Sequence, residues 1–203
     1  ALYGNIAGDR AILNCLQKSR SGEEGFRFGL QGVLSDSTVT VSMFPENPTF
    51  GSRQWSVNPD NHIVYHIGKD IHADFLLTHD NQRVSLRTTD HTEHGPLALD
   101  IAGIDIGKTL ALFPTPPPID GRFDTHIVLQ QQDTTGTSLE AGGNVNVTDL
   151  QYDKRRIGTI GLGFDYRMEK GSRRKTLAGQ HGGVIRPRQL YRHAAGAAAR
   201  IEG

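Results

Sequence analysis

The stretch "HIVYHIGKDIHADFLLTHDNQRVSLR", residues 62–87, decides the fold class. Ile63, Tyr65 and Ile67, then Ile71, Phe75 and Leu77, then Val84 and Leu86 fall at alternating positions. Successive side chains of a strand point to opposite faces, so this spacing lays an apolar face along several β-strands. The pattern extends outward in both directions. Upstream, "GFRFGLQGVL" carries Phe26, Phe28 and Leu30 on one parity, and "STVTVSMF" carries Val39, Val41 and Met43. Trp55 and Val57 in "RQWSV" lie between a turn at residues 45–48 and a second turn, "NPDN", marked by its Pro, Asp and Asn content. Downstream come Leu97, Leu99 and Ile101, then Phe123, Ile127 and Leu129, then Val145 and Val147, and finally Ile160, Leu162, Phe164 and Tyr166.

This alternation predicts an all-β meander of roughly ten strands. It breaks once, at "GIDIGKTLALFPTPPP", where Ile106, Leu110 and Phe113 follow helical spacing before a proline cluster that stops any helix. A short helix over residues 104–113 is the expectation. From about Gly171 the alternation ends and the chain becomes rich in Arg and Ala. The reading is therefore a β-rich segment over residues 1–170 and an atypical tail over 171–203, disordered or foreign to the fold.

Composition excludes several function classes. Of 203 residues, 36% are hydrophobic and 24 are glycine, which favours many short strands and turns over a large compact core. Lys and Arg number 22 and Asp and Glu 22, so bulk charge does not select nucleic acid as a partner. The lone Cys15 rules out an internal disulfide framework and is expected to be a small buried residue. No run of about 18 apolar residues occurs. The start at Ala1, with no methionine or signal-peptide pattern, suggests a piece of a longer chain.

The residues that could carry chemistry do not converge. "DHTEH" groups His91, Glu93 and His94 beside Asp90, but i and i+3 side chains of a strand face opposite ways, and a polar hairpin tip explains the cluster. His62, His66, His72 and His79 read as polar-face residues at strand edges, with His79 also sharing the parity of Phe75 and Leu77. Asp100, Asp105, Asp120 and Asp124 are acid–base candidates by presence alone. The glycines of "GTIGLGFDY" alternate along a strand with no helix start after them, so they do not form a nucleotide loop. No catalytic residue, metal ligand or cofactor is assigned. Composition by itself favours a closed β-sandwich, the frame of a non-catalytic adhesion or carbohydrate-binding module. The sharper alternative is a sheet curled into an apolar trough.

The order of segments favours the trough. "TVTVSMFPENPTFGSRQWSVNPDNHIVYHIGKDIHADFLLTHDNQRVSLR", then "PLALDIAGIDIGKTLALF", "DGRFDTHIVLQ" and "GGNVNVTDLQYDKRRIGTIGLGFDYR", resembles the repeating unit of the TamB (translocation and assembly module) family of AsmA-like proteins. The long forms found in Bacteroidota are the most similar. The likeness covers residues 1–168 and centres on the turn carrying Trp55, Val57 and Pro59. It implies an elongated β-taco with a hydrophobic interior, located in the periplasm, with the full-length protein anchored in the inner membrane. It further implies a partner barrel of the BamA superfamily and roles in outer-membrane protein assembly or secretion and inter-membrane phospholipid transport. The expected cargo is phospholipid acyl chains or nascent outer-membrane β-strands. The family has no catalytic residues to carry over. On this reading the trough is lined by Phe26, Phe28, Val39, Val41, Ile63, Tyr65, Phe75, Leu77, Val84, Leu86, Leu97, Leu99, Ile101, Phe123, Ile127, Leu129, Val145, Val147, Ile160, Leu162 and Phe164, and a charge at Leu99 or Phe123 impairs transport more than one at Arg122 or Thr125, both taken as outward.

Overall fold

The computed structural model describes residues 1–18, 22–90, 95–111, 115–130, 138–169 and 176–181. Among these residues the architecture is all-β, with antiparallel neighbours in an open, unclosed sheet and one short helix, as the trough expectation required and a closed sandwich would not allow. The chain divides into two compact units, Ala1–Ala98 and Leu99–Gly203.

The first unit contains β1 (Leu2–Ala7), β2 (Arg10–Lys18), β3 (Glu24–Ser35), β4 (Thr38–Phe50), β5 (Arg53–Gln54), β6 (Ser56–Val57), β7 (His62–His66), β8 (Ile71–His79) and β9 (Gln82–Thr88). The main path runs β1-β2-β3-β4-β7-β8-β9, with β5 pairing β4 and β6 pairing β8. β1 and β2 add to the expected strands. Their signal is present in the alternation of Leu2, Gly4 and Ile6 and of Ala11, Leu13 and Cys15 about the turn at Gly8 (φ 61°). The residues expected to form a turn after Phe44 instead loop out of β4. Phe44 pairs with Gly29 and Thr49 with Arg27, leaving residues 45–48 as a bulge. Gly51 and Ser52, both with positive φ, then close the β4–β5 hairpin in the manner of a type I′ turn.

The bulge and the following segment build the most enclosed part of this unit. Pro48 is fully buried, and Val57 packs where it pairs with Leu77. Phe28 stacks on Phe50 at 5.0 Å, Phe50 meets Trp55 edge-on at 6.3 Å, and Trp55 covers the His79 ring at 5.3 Å. Trp55 Nε1 is enclosed there without an acceptor. On the opposite side of β3, Gly29 leaves room for the Phe44 ring. A Cβ at Gly29 would sit 2.2 Å from Phe44 Cζ, so only glycine fits.

The second unit holds most of β10 (Leu97–Asp105), then α1 (Ile106–Leu110), β11 (Ile119–Gln130), β12 (Ser138–Tyr152), β13 (Arg155–Glu169) and β14 (Thr176–His181). The helix is shorter than expected. Asp105 caps its start by accepting from Lys108 N at 2.8 Å, and Phe113 lies outside the described residues. Asp153 and Lys154, both at positive φ, turn β12 into β13. Within the atypical tail, residues 176–181 pair with β13 as β14, and the rest of the tail lies outside the described residues.

Few of the described residues are fully buried. Their buried hydrophobic members are Val57, Ala73, Leu77, Leu97 and Ala98, all in the first unit, and Cys15 is half-exposed, not buried as its residue type suggested. Lateral neighbours within a sheet cover an apolar side chain only in part, which accounts for the half-buried state of most apolar positions.

Candidate apolar binding face

Directly paired residues of antiparallel strands share a face, so the register shows which side chains stand together. In the first unit one row runs Ile6, Ala11, Gly32, Val41, Ile63, Ala73. Its neighbour runs Leu34, Val39, Tyr65, Ile71, and on the other side stand Gly4, Leu13, Leu30 and Met43. Leu2, Cys15 and Phe28 make a further row, and Phe26 pairs with Phe50. Phe75 faces Leu86, and Leu77 faces Val84. Every position in this unit expected to line an apolar surface, from Phe26 to Leu86, thus occupies the same face. Residues that sequence reasoning had not assigned to the lining, among them Leu2, Ile6, Leu13, Leu34, Phe50 and Ile71, extend it.

The second unit repeats the design. Its rows are Phe123, Val147, Ile160; Thr125, Val145, Leu162; Ile127, Gly143, Phe164; and Leu129, Ala141, Tyr166. The opposite face carries Arg122 with Thr148, Asp124 with Asn146, and His126 with Asn144. The His126–Asp100 contact at 2.6 Å puts Asp100 on that polar face, and alternation then places Leu99 and Ile101 on the apolar one. Leu97 has the same parity one step earlier, at the end of the first unit.

One expectation is corrected here. Thr125 does not face outward with Arg122. It stands between Phe123 and Ile127, is 6% exposed, and donates its hydroxyl to Asn144 O at 2.6 Å. A threonine fits an apolar row because its hydroxyl is satisfied by a neighbouring carbonyl while its methyl packs.

The face is accessible. Ile6 is 80% exposed, Leu34 49%, Tyr65 43% and Leu162 42%. Fully burying such a side chain is worth about 1.5–3 kcal/mol, so each half-exposed one leaves on the order of 1 kcal/mol for a covering ligand to recover. Monomeric soluble proteins seldom leave contiguous apolar surface uncovered, which makes these rows the leading binding surface.

The polar residues weighed for chemistry are engaged locally. Asp124 accepts from Gly103 N at 2.7 Å, Asp120 from Gly121 N at 2.7 Å, and Asp105 caps α1. His62 contacts Asp60 O at 2.7 Å, and His79, on the apolar face against Trp55, contacts Gln54 O at 2.8 Å. His91, Glu93 and His94 lie outside the described residues. His66 and His72 stand on the polar face as expected, but the β7–β8 register also brings them together around Asp70. Sequence spacing alone had not linked these three.

No helix among the described residues is long and apolar enough to cross a membrane. Comparison with family models, with curated proteins and with solved structures finds no match.

Proposed function

We propose that this chain is a periplasmic segment of a TamB-like protein, and that its apolar faces form a trough shielding phospholipid acyl chains or nascent outer-membrane β-strands in transit. The full-length protein would be anchored in the inner membrane and act with an outer-membrane barrel of the BamA superfamily. The role is that of a conduit, without catalysis.

The observation that supports this reading is the unbroken sharing of one face by apolar residues across seven strands of the first unit, matched in the second by the rows on β11, β12 and β13. An acyl chain needs continuous apolar contact and no directional partner, and such rows supply that. No single side chain is indispensable to a surface of this kind, because each contributes in proportion to its area.

The test places a photoreactive amino acid at Leu34 or Phe123 on the apolar face and at Gln31 or Arg122 on the polar face. The folded protein is then irradiated with vesicles of phosphatidylethanolamine and phosphatidylglycerol, or with an unfolded outer-membrane barrel protein. The expected result is adducts from Leu34 and Phe123 only, and the two probes separate the two cargoes. Equal labelling from both faces, or none from the apolar one with either probe, overturns the proposal.

A further inference from the structure

We propose that the hairpin joining β7 and β8 is a binding site for a divalent transition-metal ion of the zinc class, with His66, Asp70 and His72 as its ligands. The three sit on the polar face of the sheet, away from the apolar rows. Tyr65 pairs with Ile71 and Val64 with His72, so the turn returns Asp70 beside His66 and sets His72 on the same side. His66 Nδ1 lies 2.6 Å from Asp70 Oδ1, and His72 Nε2 lies 3.2 Å from Asp70 Oδ2. The potential ligand atoms of the three residues all fall within 4.8 Å of one another.

The geometry is close to what an ion requires. Bonds of about 2.0–2.2 Å in a tetrahedral site separate neighbouring donors by roughly 3.3–3.6 Å. The His72–Asp70 pair already approaches that spacing, the His66–Asp70 pair would open by less than about 1 Å, and the widest donor separation, within 4.8 Å, would close by roughly 1 Å through side-chain rotation. The backbone holds the frame. His66 N donates to Asp70 O and Lys69 N donates to His66 O, both at 2.9 Å, while Gly68 takes a positive φ of 75° that the turn demands.

The Asp70 side chain is only 6% exposed and lies between the two imidazoles, which places the three donors in one cluster. The His66 and His72 side chains are 34% and 31% exposed, so an ion can enter from solvent. Two imidazoles and one carboxylate suit Zn²⁺, Co²⁺, Ni²⁺ or Cu²⁺, whereas Ca²⁺ and Mg²⁺ prefer oxygen donors throughout. Three protein ligands leave one position for a solvent molecule, and a hollow of about 480 Å³ lined by His62, His72, Asp74 and Arg87 adjoins the site. A bound ion would tie both strands of the hairpin together and stiffen the tip that carries Tyr65.

The experiment uses the whole chain with Zn²⁺ and Co²⁺. Zinc affinity is measured by competition with a chelating indicator for the wild type and for His66→Ala, His72→Ala, His62→Ala and a His91→Ala/His94→Ala double variant. In parallel, the wild type is treated with a histidine-modifying reagent with and without Zn²⁺, and modified sites are read by mass spectrometry, which requires no variant to fold. The expected result is one zinc per chain, an affinity at least roughly tenfold weaker in His66→Ala and His72→Ala and unchanged in the other two. Zinc should protect His66 and His72 from modification while His62 and His126 stay reactive, and Co²⁺ should give the visible absorption of a tetrahedral site. Absence of saturable binding, loss of binding only in the His91/His94 variant, or modification of His66 and His72 at the same rate with and without Zn²⁺ overturns the proposal.

Discussion

Asn61 and Asn58 do the work of missing backbone. Asn61 Oδ1 accepts from Met43 N at 2.7 Å, while its Nδ2 donates to Met43 O at 3.1 Å and to Asn58 O at 2.9 Å. Asn58 in turn accepts from Leu76 N at 2.8 Å and donates to Asp74 O at 3.2 Å. β7 is only five residues long, and these two amides bond the edges of β4 and β8 beyond its end. Asn61 is 6% exposed, so Asn61→Ala strands Met43 N–H and C=O away from solvent. The expected cost is about 2–3 kcal/mol in urea unfolding. Asn61→Asp keeps the acceptor for Met43 N but loses both donations, and should also be destabilising. A cost for Asn61→Ala below about 0.5 kcal/mol, the level of an ordinary surface change, would show that the network is dispensable. "NPDN" was legible as a turn from composition, but the bonding of its amides to β4 and β8 was not, because those partners lie 16 to 18 positions away in the chain.

At the scale of elements, the alternating segments were legible as strands wherever three or more apolar residues kept parity. β1 and β2 escaped because Gly4, Ala11 and Cys15 weaken the apolar signal, and the bulge of residues 45–48 escaped because four residues without a pairing partner look like a turn. β1 is the edge strand of its unit. With Ile6 80% exposed beside unpaired backbone, this edge is suited to strand addition by another chain. Ile6→Lys should raise the concentration at which the protein self-associates by roughly tenfold, equivalent to about 1.4 kcal/mol, in sedimentation velocity. Identical profiles for wild type and variant would place any self-association elsewhere.

For the whole molecule, the face assignment makes the transport prediction sharper than parity counted loosely. Phe123→Lys or Leu99→Lys puts a charge among apolar rows, which costs several kcal/mol without a partner. On folded protein, acyl-chain binding should fall by at least about tenfold, against little change for Arg122→Glu on the polar face. Thr125→Lys now belongs with the first group, since Thr125 shares the row of Val145 and Leu162. Equal effects at Phe123 and Arg122 in a vesicle-binding assay would mean that the apolar rows are not the binding surface. Much of the candidate face was therefore readable in advance, whereas the His66, Asp70 and His72 group was not.

The sequence by itself determined that the chain is a series of strands with one apolar face, because the alternation of side chains is a property of local covalent geometry and needs no distant partner. Only the tertiary structure decided which residues stand opposite one another. Register depends on turns and bulges, and a shift of one position moves a side chain to the other face. That is why Phe123 could be assigned to its face from the sequence, while the meeting of two histidines around a buried aspartate and the packing of Trp55 over His79 had to await the paired backbone.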